Sequence, residues 1–221
     1  MEQLLEGPRV VLEIFGLEIT ESIRNMWIIM AVIIILAIIM KNSMKREVPN
    51  GLQNFTEFLV ETVNSLVSST MGDERKSFAP YMGTLLLFIG ISNISGIFGI
   101  LPPTADINVT VSLAVMTFLL IHYNGLKKKG FGHIKGLAEP VFVFFPLNVI
   151  GELAKPVSLA FRLFGNIFAG SVILAMIYGE YGILSLFIPI LPHMYFDLFA
   201  GLLQSFIFVM LTMVFITLAL E

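Results

Sequence analysis

Long apolar stretches separated by short charged segments dominate the chain. Uncharged residues run from 25 to 40, from 77 to 105 and from 107 to 126. A helix that crosses the hydrocarbon core of a membrane needs about 20 mostly apolar residues. The pattern therefore predicts transmembrane helices over 25–44, 77–101 and 107–126.

Two longer helical stretches follow, over 138–179 and 183–220, with a turn at Gly179-Glu180-Tyr181-Gly182. Both exceed the length that a perpendicular crossing requires. A helix of excess length is accommodated by tilting or kinking, and Pro189 and Pro192 favour a break early in the second stretch. We expect a long, tilted helical hairpin.

The segment 52–71 has a different pattern, because its apolar residues recur at helical spacing with polar residues between them. Leu52, Phe55 and Val63 alternate with Glu57 and Glu61 along a predicted helix. This amphipathic pattern fits a helix that lies along the membrane interface. A helix packed on other protein fits equally well.

The composition supports a membrane protein. Hydrophobic residues make up 57% of the 221, the mean hydropathy is +0.90, and charged residues are 13%, about half of the ~25% usual in soluble domains. We predict one all-α polytopic membrane domain over 1–221, with about five transmembrane helices and one amphipathic interfacial helix. The absence of cysteine excludes disulfides and thiolate metal sites, and a net charge of −3 gives no basis for a nucleic-acid partner.

Basic residues predict the orientation, since they accumulate in cytoplasmic loops. Lys41, Lys45 and Arg46 follow the first predicted span, and the loop 127–137 carries four further lysines within KKK and HIK. Both loops are then cytoplasmic. The acidic segment 1–24, which lacks the basic start of a signal peptide, lies outside, and the C-terminus lies in the cytoplasm.

Arg162 is an ionisable residue within an apolar stretch, KPVSLAFRLFGNIFAG. A charge at membrane depth costs about 2.5–3.5 kcal/mol on insertion scales and marks a functional site by default. Arginine cannot become neutral, so it requires water, a carboxylate or a polar groove. The structural alternative is a salt bridge to Asp197 or Glu152.

Polar residues share a helix face with Arg162, and small residues surround it. The polar set is Glu152, Lys155, Ser158 and Asn166, and the small set is Gly165, Ala169 and Gly170. Small residues permit the close approach of another helix. We interpret this face as a polar track around a fixed cation.

The last predicted helix carries a second polar face, formed by His193, Asp197, Gly201 and Gln204. Asp197 is expected to be functional, because a carboxylate at depth can accept a proton or hold a small cation. For His193, beside Pro192, capping or contact with water is the ordinary explanation. Gln204 can bond Arg162 or join two helices. Asn93, with Ser92 and Ser95, is expected to bond between helices rather than to line a vestibule.

Two segments, KPVSLAFRLFGNIFAG and LLQSFIFVMLTMVFITLAL, together with PLN at 146–148, resemble subunit a of the F-type ATP synthase. The resemblance covers most of the chain and is most specific at RLFGN. It implies a stationary membrane subunit, not catalytic on its own and without a cofactor or bound metal, that lies against a rotating ring of c subunits. It further implies peripheral-stalk b subunits, a soluble catalytic head and membrane lipid as partners, and a bacterial plasma membrane as location.

The same resemblance implies roles for individual residues. Arg162 matches the family's essential arginine, supported by Asn166 and Gln204. Two offset half-channels lead ions to and from the ring. The outer half-channel is assigned Asp197 (a possible transient ion site), His193 and Ser171; the inner one is assigned Glu152 and Asn148. Protons are expected as the coupling ion, with sodium as the other possibility.

Two rival functions fit parts of the pattern. A small permease that binds an anion at Arg162 would usually show two related halves, and no such repeat is visible in the sequence. An intramembrane enzyme using Asp197 and His193 would lack an accompanying catalytic motif. Co-purification with a ring of small hairpin subunits separates the stator hypothesis from both.

Overall fold

The computed structural model describes residues 9–14, 16–44, 51–132, 136, 142–180 and 189–221. The elements in these ranges are β1 (Val10–Ile14), β2 (Leu17–Thr20), α1 (Glu21–Asn42), α2 (Gly51–Met71), α3 (Ala79–Ile94), α4 (Ile107–Lys129), α5 (Phe145–Glu180) and α6 (Ile190–Leu220). Five helical stretches are long and apolar enough to cross a membrane: α1, Asp73–Phe98 around α3, α4, Phe145–Tyr178 and α6. The predicted all-α, polytopic membrane architecture is confirmed.

A small antiparallel hairpin, β1 and β2, precedes the first spanning helix. The sequence pattern did not predict it. Gly16 lies between the strands with a φ of 79°, a conformation that glycine adopts without steric cost. Thr20 ends β2 and caps α1, since its hydroxyl accepts a hydrogen bond from the Ile23 amide. The hairpin is thereby joined directly to the N-terminus of α1.

The amphipathic helix α2 is packed on protein at one end and open at the other. Val67 and Met71, near its C-terminus, are buried against the helical core, whereas Leu52, Phe55 and Phe58 are exposed. The C-terminal end of α2 is therefore packed on other helices of the chain, while apolar side chains at its N-terminal end are exposed. A hydrogen bond from Ser68 to Asp73 joins its end to the following turn.

The second predicted span is shorter as an α-helix than the expected 77–101. α3 ends at Ile94 and is followed by a 3₁₀ turn, Ser95–Phe98, whose last residue precedes Gly99 with φ of 70°. The Ser95 hydroxyl donates to the Ser92 carbonyl at 2.7 Å, which satisfies an acceptor that the ending helix leaves open. α4 then begins after Asp106, whose carboxylate accepts from the Asn108 amide at 2.9 Å.

The two long helices also differ from the predicted stretches. α5 begins at Phe145 rather than 138, after a short 3₁₀ turn at Phe142–Phe144, and it ends at Glu180. α6 begins at Ile190, and a π-helical segment, Met194–Ala200, interrupts its α-helical hydrogen bonding. Residues 138–141 and 183–188 of the predicted hairpin lie outside the described ranges.

α6 lies at the centre of the helical assembly. Phe208, Val209, Met213 and Ile216 are fully buried, and α6 contacts α2, α3, α4 and α5. α5 packs along α4 and α6. By contrast, α1 is peripheral and exposes most of its apolar side chains. Such an apolar exterior is stable in hydrocarbon, where backbone hydrogen bonds are satisfied within each helix.

The ends of the helices form two sides. The Asn25 side-chain amide, at the start of α1, donates to the Leu101 carbonyl at 2.9 Å, so the β-hairpin and the α3–α4 turn lie on one side. The basic end of α4, Lys127–Lys129, lies at the opposite end of that helix. These two sides correspond to those that the sequence predicted as outer and inner.

Candidate functional site

Arg162 lies midway along α5 on a surface open to the surroundings of the protein. Its own side chain is exposed, as are those of Val157, Phe161 and Phe168 on the same side of the helix. Within the described ranges, the Arg162 guanidinium makes no hydrogen bond or ion pair. Among the described residues, this permanent cation therefore has no counter-charge, and exposed apolar side chains lie near it.

The structural alternative considered for Arg162, a salt bridge to Asp197 or Glu152, is not formed among the described residues. Glu152 pairs with Lys155, at 2.6 Å between Oε1 and Nζ, and Asp197 pairs with His193. The predicted hydrogen bond between Gln204 and Arg162 is also not formed among the described contacts. Both carboxylates that were candidates to neutralise Arg162 are occupied elsewhere.

Small residues follow the open side of α5 above and below Arg162. Gly151, Ala154, Ser158 and Ala169 are exposed, and a methyl group added at Gly165 would meet nothing within 4 Å. This surface, which we call the α5 small-residue track, has room for another helix to approach closely. No described element of the chain covers it.

Gly170, which the sequence grouped with Gly165 and Ala169, instead faces the interior. A methyl group there would lie 2.9 Å from Cβ of Phe196 in the π-helical segment of α6. This distance is far shorter than an ordinary carbon–carbon contact. Gly170 therefore permits the contact between α5 and α6 within the chain, while Gly165 belongs to the open track.

Glu152 lies at a junction of three helices. Besides its ion pair with Lys155, its Oε2 lies 4.0 Å from Nε2 of His122 on α4. The Lys155 ammonium lies 5.3 Å from the centre of the Phe215 ring on α6. The spacing of the sequence did not indicate this proximity of His122 to Glu152. Asn148 lies one turn before Glu152 on α5 and is half-buried.

Asp197 lies near the other end of α5 and α6 and is almost completely buried. Its Oδ2 is 2.5 Å from Nδ1 of His193, and Nε2 of His193 is 3.1 Å from the hydroxyl of Tyr178. His193 therefore contacts two side chains, Tyr178 and Asp197. Capping of the helix, the ordinary explanation considered from the sequence, does not account for these contacts. The Tyr178 contact joins α5 to α6, and nothing in the spacing of the sequence indicated it.

Gly96 forms the wall beside the Asp197 carboxylate. A methyl group at position 96 would lie 3.0 Å from Cγ and Oδ2 of Asp197, and 3.1 Å from its Oδ1. The absence of a side chain at Gly96 leaves space in front of all three atoms. Ser171, the third predicted residue of this region, lies on α5 with its hydroxyl donating to the Ile167 carbonyl at 2.9 Å.

Two buried amides lack partners. Nδ2 of Asn166 and Nε2 of Gln204 are inaccessible to solvent, and neither donates a hydrogen bond to any described residue. An unsatisfied buried donor costs about 1–3 kcal/mol, and functional sites are where such costs are retained. Asn166 follows Arg162 by one turn of α5. These are the two residues that the sequence assigned to support the arginine.

Asn93 is a structural connection between three elements. Its Nδ2 donates to the Gly201 carbonyl at 2.8 Å and to Oγ of Ser205 at 3.2 Å, and its Oδ1 accepts from Thr104 at 2.7 Å. Every polar atom of this buried side chain is used. The expectation that Asn93 bonds between helices rather than lining a vestibule agrees with this geometry.

A metal site is not evident in the part of the chain that the structure describes, since no three histidine, aspartate or glutamate side chains come together there. The titratable groups form two separate clusters instead, around Glu152 and around Asp197. Arg162 lies between them on α5. The arrangement can bind and pass a small ion at each end and hold a fixed positive charge at the middle.

Comparison with known proteins relates this arrangement to one family. Residues 23–217 match the ATP synthase A chain family. The sequence is 39% identical over 222 residues to the "ATP synthase subunit a, sodium ion specific" of Propionigenium modestum, covering 92% of this chain and 75% of that protein. It is 35% identical over 206 residues to the "ATP synthase subunit a 3" of Pelobacter propionicus, covering 91% and 88%. It is 37% identical over 196 residues to the chloroplastic subunit a of Oedogonium cardiacum, covering 82% and 75%.

Proposed function

Because the chain belongs to the ATP synthase subunit a family, we propose that it is the ion-translocating stator subunit that couples ion flow to rotation of a ring of c subunits. In this function it catalyses no reaction on its own. The observation that carries the proposal is Arg162, exposed and unpaired on the α5 small-residue track. The missing counter-charge is then supplied by a carboxylate of the ring.

The electrostatics of Arg162 favour this interaction. A ring carboxylate that moves through lipid must be neutral, whether protonated or bound to a metal ion, because an ionised group in hydrocarbon is costly. When it reaches the guanidinium, the opposite charge stabilises its ionised form, so it releases its ion. Arg162 also repels cations, which prevents direct leakage between the two sides.

The small side chains of the track support the same contact. Gly165 and Ala169 leave the α5 backbone accessible on the side that carries Arg162. A passing helix of the ring can then approach closely enough for its carboxylate to meet the guanidinium. Bulkier residues would hold the two charges apart.

Two half-channels are proposed on either side of Arg162. With a rise of about 1.5 Å per residue, Glu152 lies about 15 Å from Arg162 along α5 and Ser171 about 14 Å in the other direction. The inner half-channel comprises Glu152 and Asn148, and the His122 contact adds a third residue to it. The outer one comprises Ser171 with the buried pair of Asp197 and His193. Asn166, one turn after Arg162 on α5, and Gln204 on α6 are proposed to support the arginine, and each has an unsatisfied donor among the described residues.

The driving force sets a requirement on the partner. One elementary charge that crosses 100 mV provides about 2.3 kcal/mol. Synthesis of one ATP therefore needs several ions, and a ring with several carboxylates meets that need.

We propose that peripheral-stalk b subunits hold this chain still against the catalytic head, in a bacterial plasma membrane with the N-terminus outside and the C-terminus in the cytoplasm.

Protons are the proposed coupling ion. The relative from Propionigenium modestum is named as sodium ion specific, which makes sodium the second candidate. The two are separated by testing whether sodium protects the carboxylates of the ring in the intact complex from a carbodiimide. Protection by sodium would contradict proton coupling.

Membership of the family argues against the anion permease considered from the sequence. A permease would be isolated as a substrate-binding protein without a rotor. The proposed stator is expected to co-purify with a ring of small hairpin subunits and with ATPase activity.

Replacement of Arg162 tests the proposal directly. Arg162→Ala should abolish ATP synthesis driven by an ion gradient in membrane vesicles, while ATP hydrolysis by the detached catalytic head remains. Arg24→Ala is the matched control, because the Arg24 guanidinium is already paired with Glu21 at 3.1 Å. Gradient-driven synthesis that persists in Arg162→Ala would overturn the assignment.

A further inference from the structure

Three side chains form a continuous hydrogen-bonded series at the predicted outer ends of α5 and α6. The series, which we call the outer relay, consists of Tyr178, His193 and Asp197. The hydroxyl of Tyr178 lies 3.1 Å from Nε2 of His193, and Nδ1 of His193 lies 2.5 Å from Oδ2 of Asp197. Each contact is within hydrogen-bonding distance.

Exposure falls steeply along the outer relay. Tyr178 is 52% exposed, the His193 side chain is 24% exposed, and that of Asp197 is 9% exposed. The series therefore begins at the surface of the protein and ends at a buried carboxylate.

The two contacts of His193 are compatible with one arrangement of its ring proton, in which the phenol donates to Nε2. A phenol donates its hydrogen bond to an imidazole nitrogen that is unprotonated. With Nε2 as the acceptor, the proton of the neutral ring is on Nδ1, where it is donated to Asp197. The hydrogen bond at one imidazole nitrogen thus sets the state of the other.

The elements packed against this pair carry few other titratable residues, and on α5 Glu180 follows Tyr178 by two positions. The π-helical segment of α6 contacts α3, α5 and the turn Ser95–Phe98. The turn has no titratable residue, and the only one in α3 is Tyr81, near its opposite end. On α5, Arg162 lies sixteen residues before Tyr178, or about 24 Å along the helix. Tyr195, on the π-helical segment itself, contacts the rings of Phe196 and Phe199.

We propose that Tyr178 is a positioning residue for proton transfer through the outer half-channel, acting through His193 on Asp197. This inference rests on the proposed stator function and makes it more specific. Water on the outer side gives a proton to the Tyr178 oxygen as its own hydroxyl proton passes to Nε2. The Nδ1 proton passes to Oδ2 of Asp197, so one proton enters and one arrives. The starting tautomer returns by proton exchange with water at the partly exposed imidazole, in which Nε2 releases one proton and Nδ1 takes one up.

The test uses Tyr178→Phe in the complete complex, in inverted vesicles whose lumen corresponds to the outer side. ATP synthesis is driven by a fixed membrane potential at a series of lumen pH values. Loss of one hydrogen bond of ordinary strength should lower the rate about two- to tenfold. The decrease should be larger at alkaline lumen pH, where protons are scarce and a wrongly oriented imidazole captures fewer of them.

Tyr195→Phe is the matched control, since it removes a hydroxyl from a neighbouring exposed tyrosine outside the series. It should synthesise ATP at the unaltered rate. His193→Gln is the second variant, because an amide can bond both neighbours but cannot pass a proton. It should lower synthesis at least as far as Tyr178→Phe. Co-purification with the ring and unchanged ATP hydrolysis establish assembly in each case.

Several outcomes would overturn the outer relay. A Tyr178→Phe rate equal to that of Tyr195→Phe at every lumen pH contradicts it, as does a decrease that is uniform across pH, which indicates a structural effect only. Synthesis driven by sodium without protons contradicts the relay but leaves the stator function standing. Retained synthesis in Arg162→Ala removes the stator function itself, whatever Tyr178→Phe does.

Discussion

Gly96→Ala is expected to impair ion transfer at the Asp197 carboxylate without disturbing the helices. Gly96 follows α3 in the turn Ser95–Phe98, and an added methyl group would lie 3.0 Å from Cγ and Oδ2 of Asp197. Non-bonded atoms of this kind prefer separations of about 3.5–4.0 Å. The carboxylate must therefore retreat by about 0.5–1 Å.

This displacement moves Oδ2 of Asp197, which is also the atom that lies 2.5 Å from Nδ1 of His193. Inserting a methyl group into a packed site costs about 1–3 kcal/mol, and each 1.4 kcal/mol corresponds to a factor of ten. If the hydrogen-bonded arrangement of Asp197 and His193 is disfavoured by that amount, ion-driven ATP synthesis should fall about five- to hundredfold.

The assay is gradient-driven ATP synthesis in membrane vesicles, with ATP hydrolysis measured in parallel. Gly90→Ala is the matched control on α3, because its methyl group would lie 3.7 Å from Cδ2 of Leu202, an ordinary contact. In an Asp197→Ala background, Gly96→Ala should have little further effect, since coupling between two substitutions reports a shared contact. Equal synthesis by Gly96→Ala and Gly90→Ala would refute the reasoning.

Two further predictions concern the same region. Asn93→Ala removes three interhelical hydrogen bonds, which at about 0.6 kcal/mol each in a membrane protein should lower the free energy of unfolding in mixed micelles by about 2 kcal/mol. Asn124→Ala is its control, because Asn124 bonds only the Leu120 carbonyl of its own helix, and equal losses would contradict the prediction. Asp197→Asn should reduce synthesis partially and alter its dependence on pH, because an amide cannot accept the proton from His193. Full synthesis at every pH would exclude Asp197 from the ion path.

The spanning helices could be predicted because the membrane imposes their length and apolar character. An uncharged run such as 107–126 has few alternatives in hydrocarbon, and α4 occupies it. Arg162 was recognisable for the same reason, since a charge within such a run is rare. The limits of α3 were less predictable, because the apolar run continues past Ile94 while the backbone changes to a 3₁₀ turn that ends at Gly99.

Contacts between distant segments could not be read from spacing. Tyr178 and His193 are brought together by the packing of α5 on α6, and a lone tyrosine near a helix end carries no signal of a partner. Gly96 likewise appears as one of many glycines until its distance to Asp197 is known. Of the two roles left open for Gln204, a bond to Arg162 is not formed among the described residues, because Gln204 is buried whereas the arginine side chain is exposed.

The π-helical segment Met194–Ala200 determines how the residues before it on α6 are rotated about the helix axis relative to the residues after it. Each residue of an α-helix turns the chain by about 100°, so deleting one residue within this segment would restore α-helical phase and swing His193 and Asp197 away from Gly96. The half that contains Gln204, anchored in the core, would keep its orientation. A one-residue insertion or deletion in this segment would therefore change the direction of Asp197 and leave the buried face of Gly201–Leu220 in place.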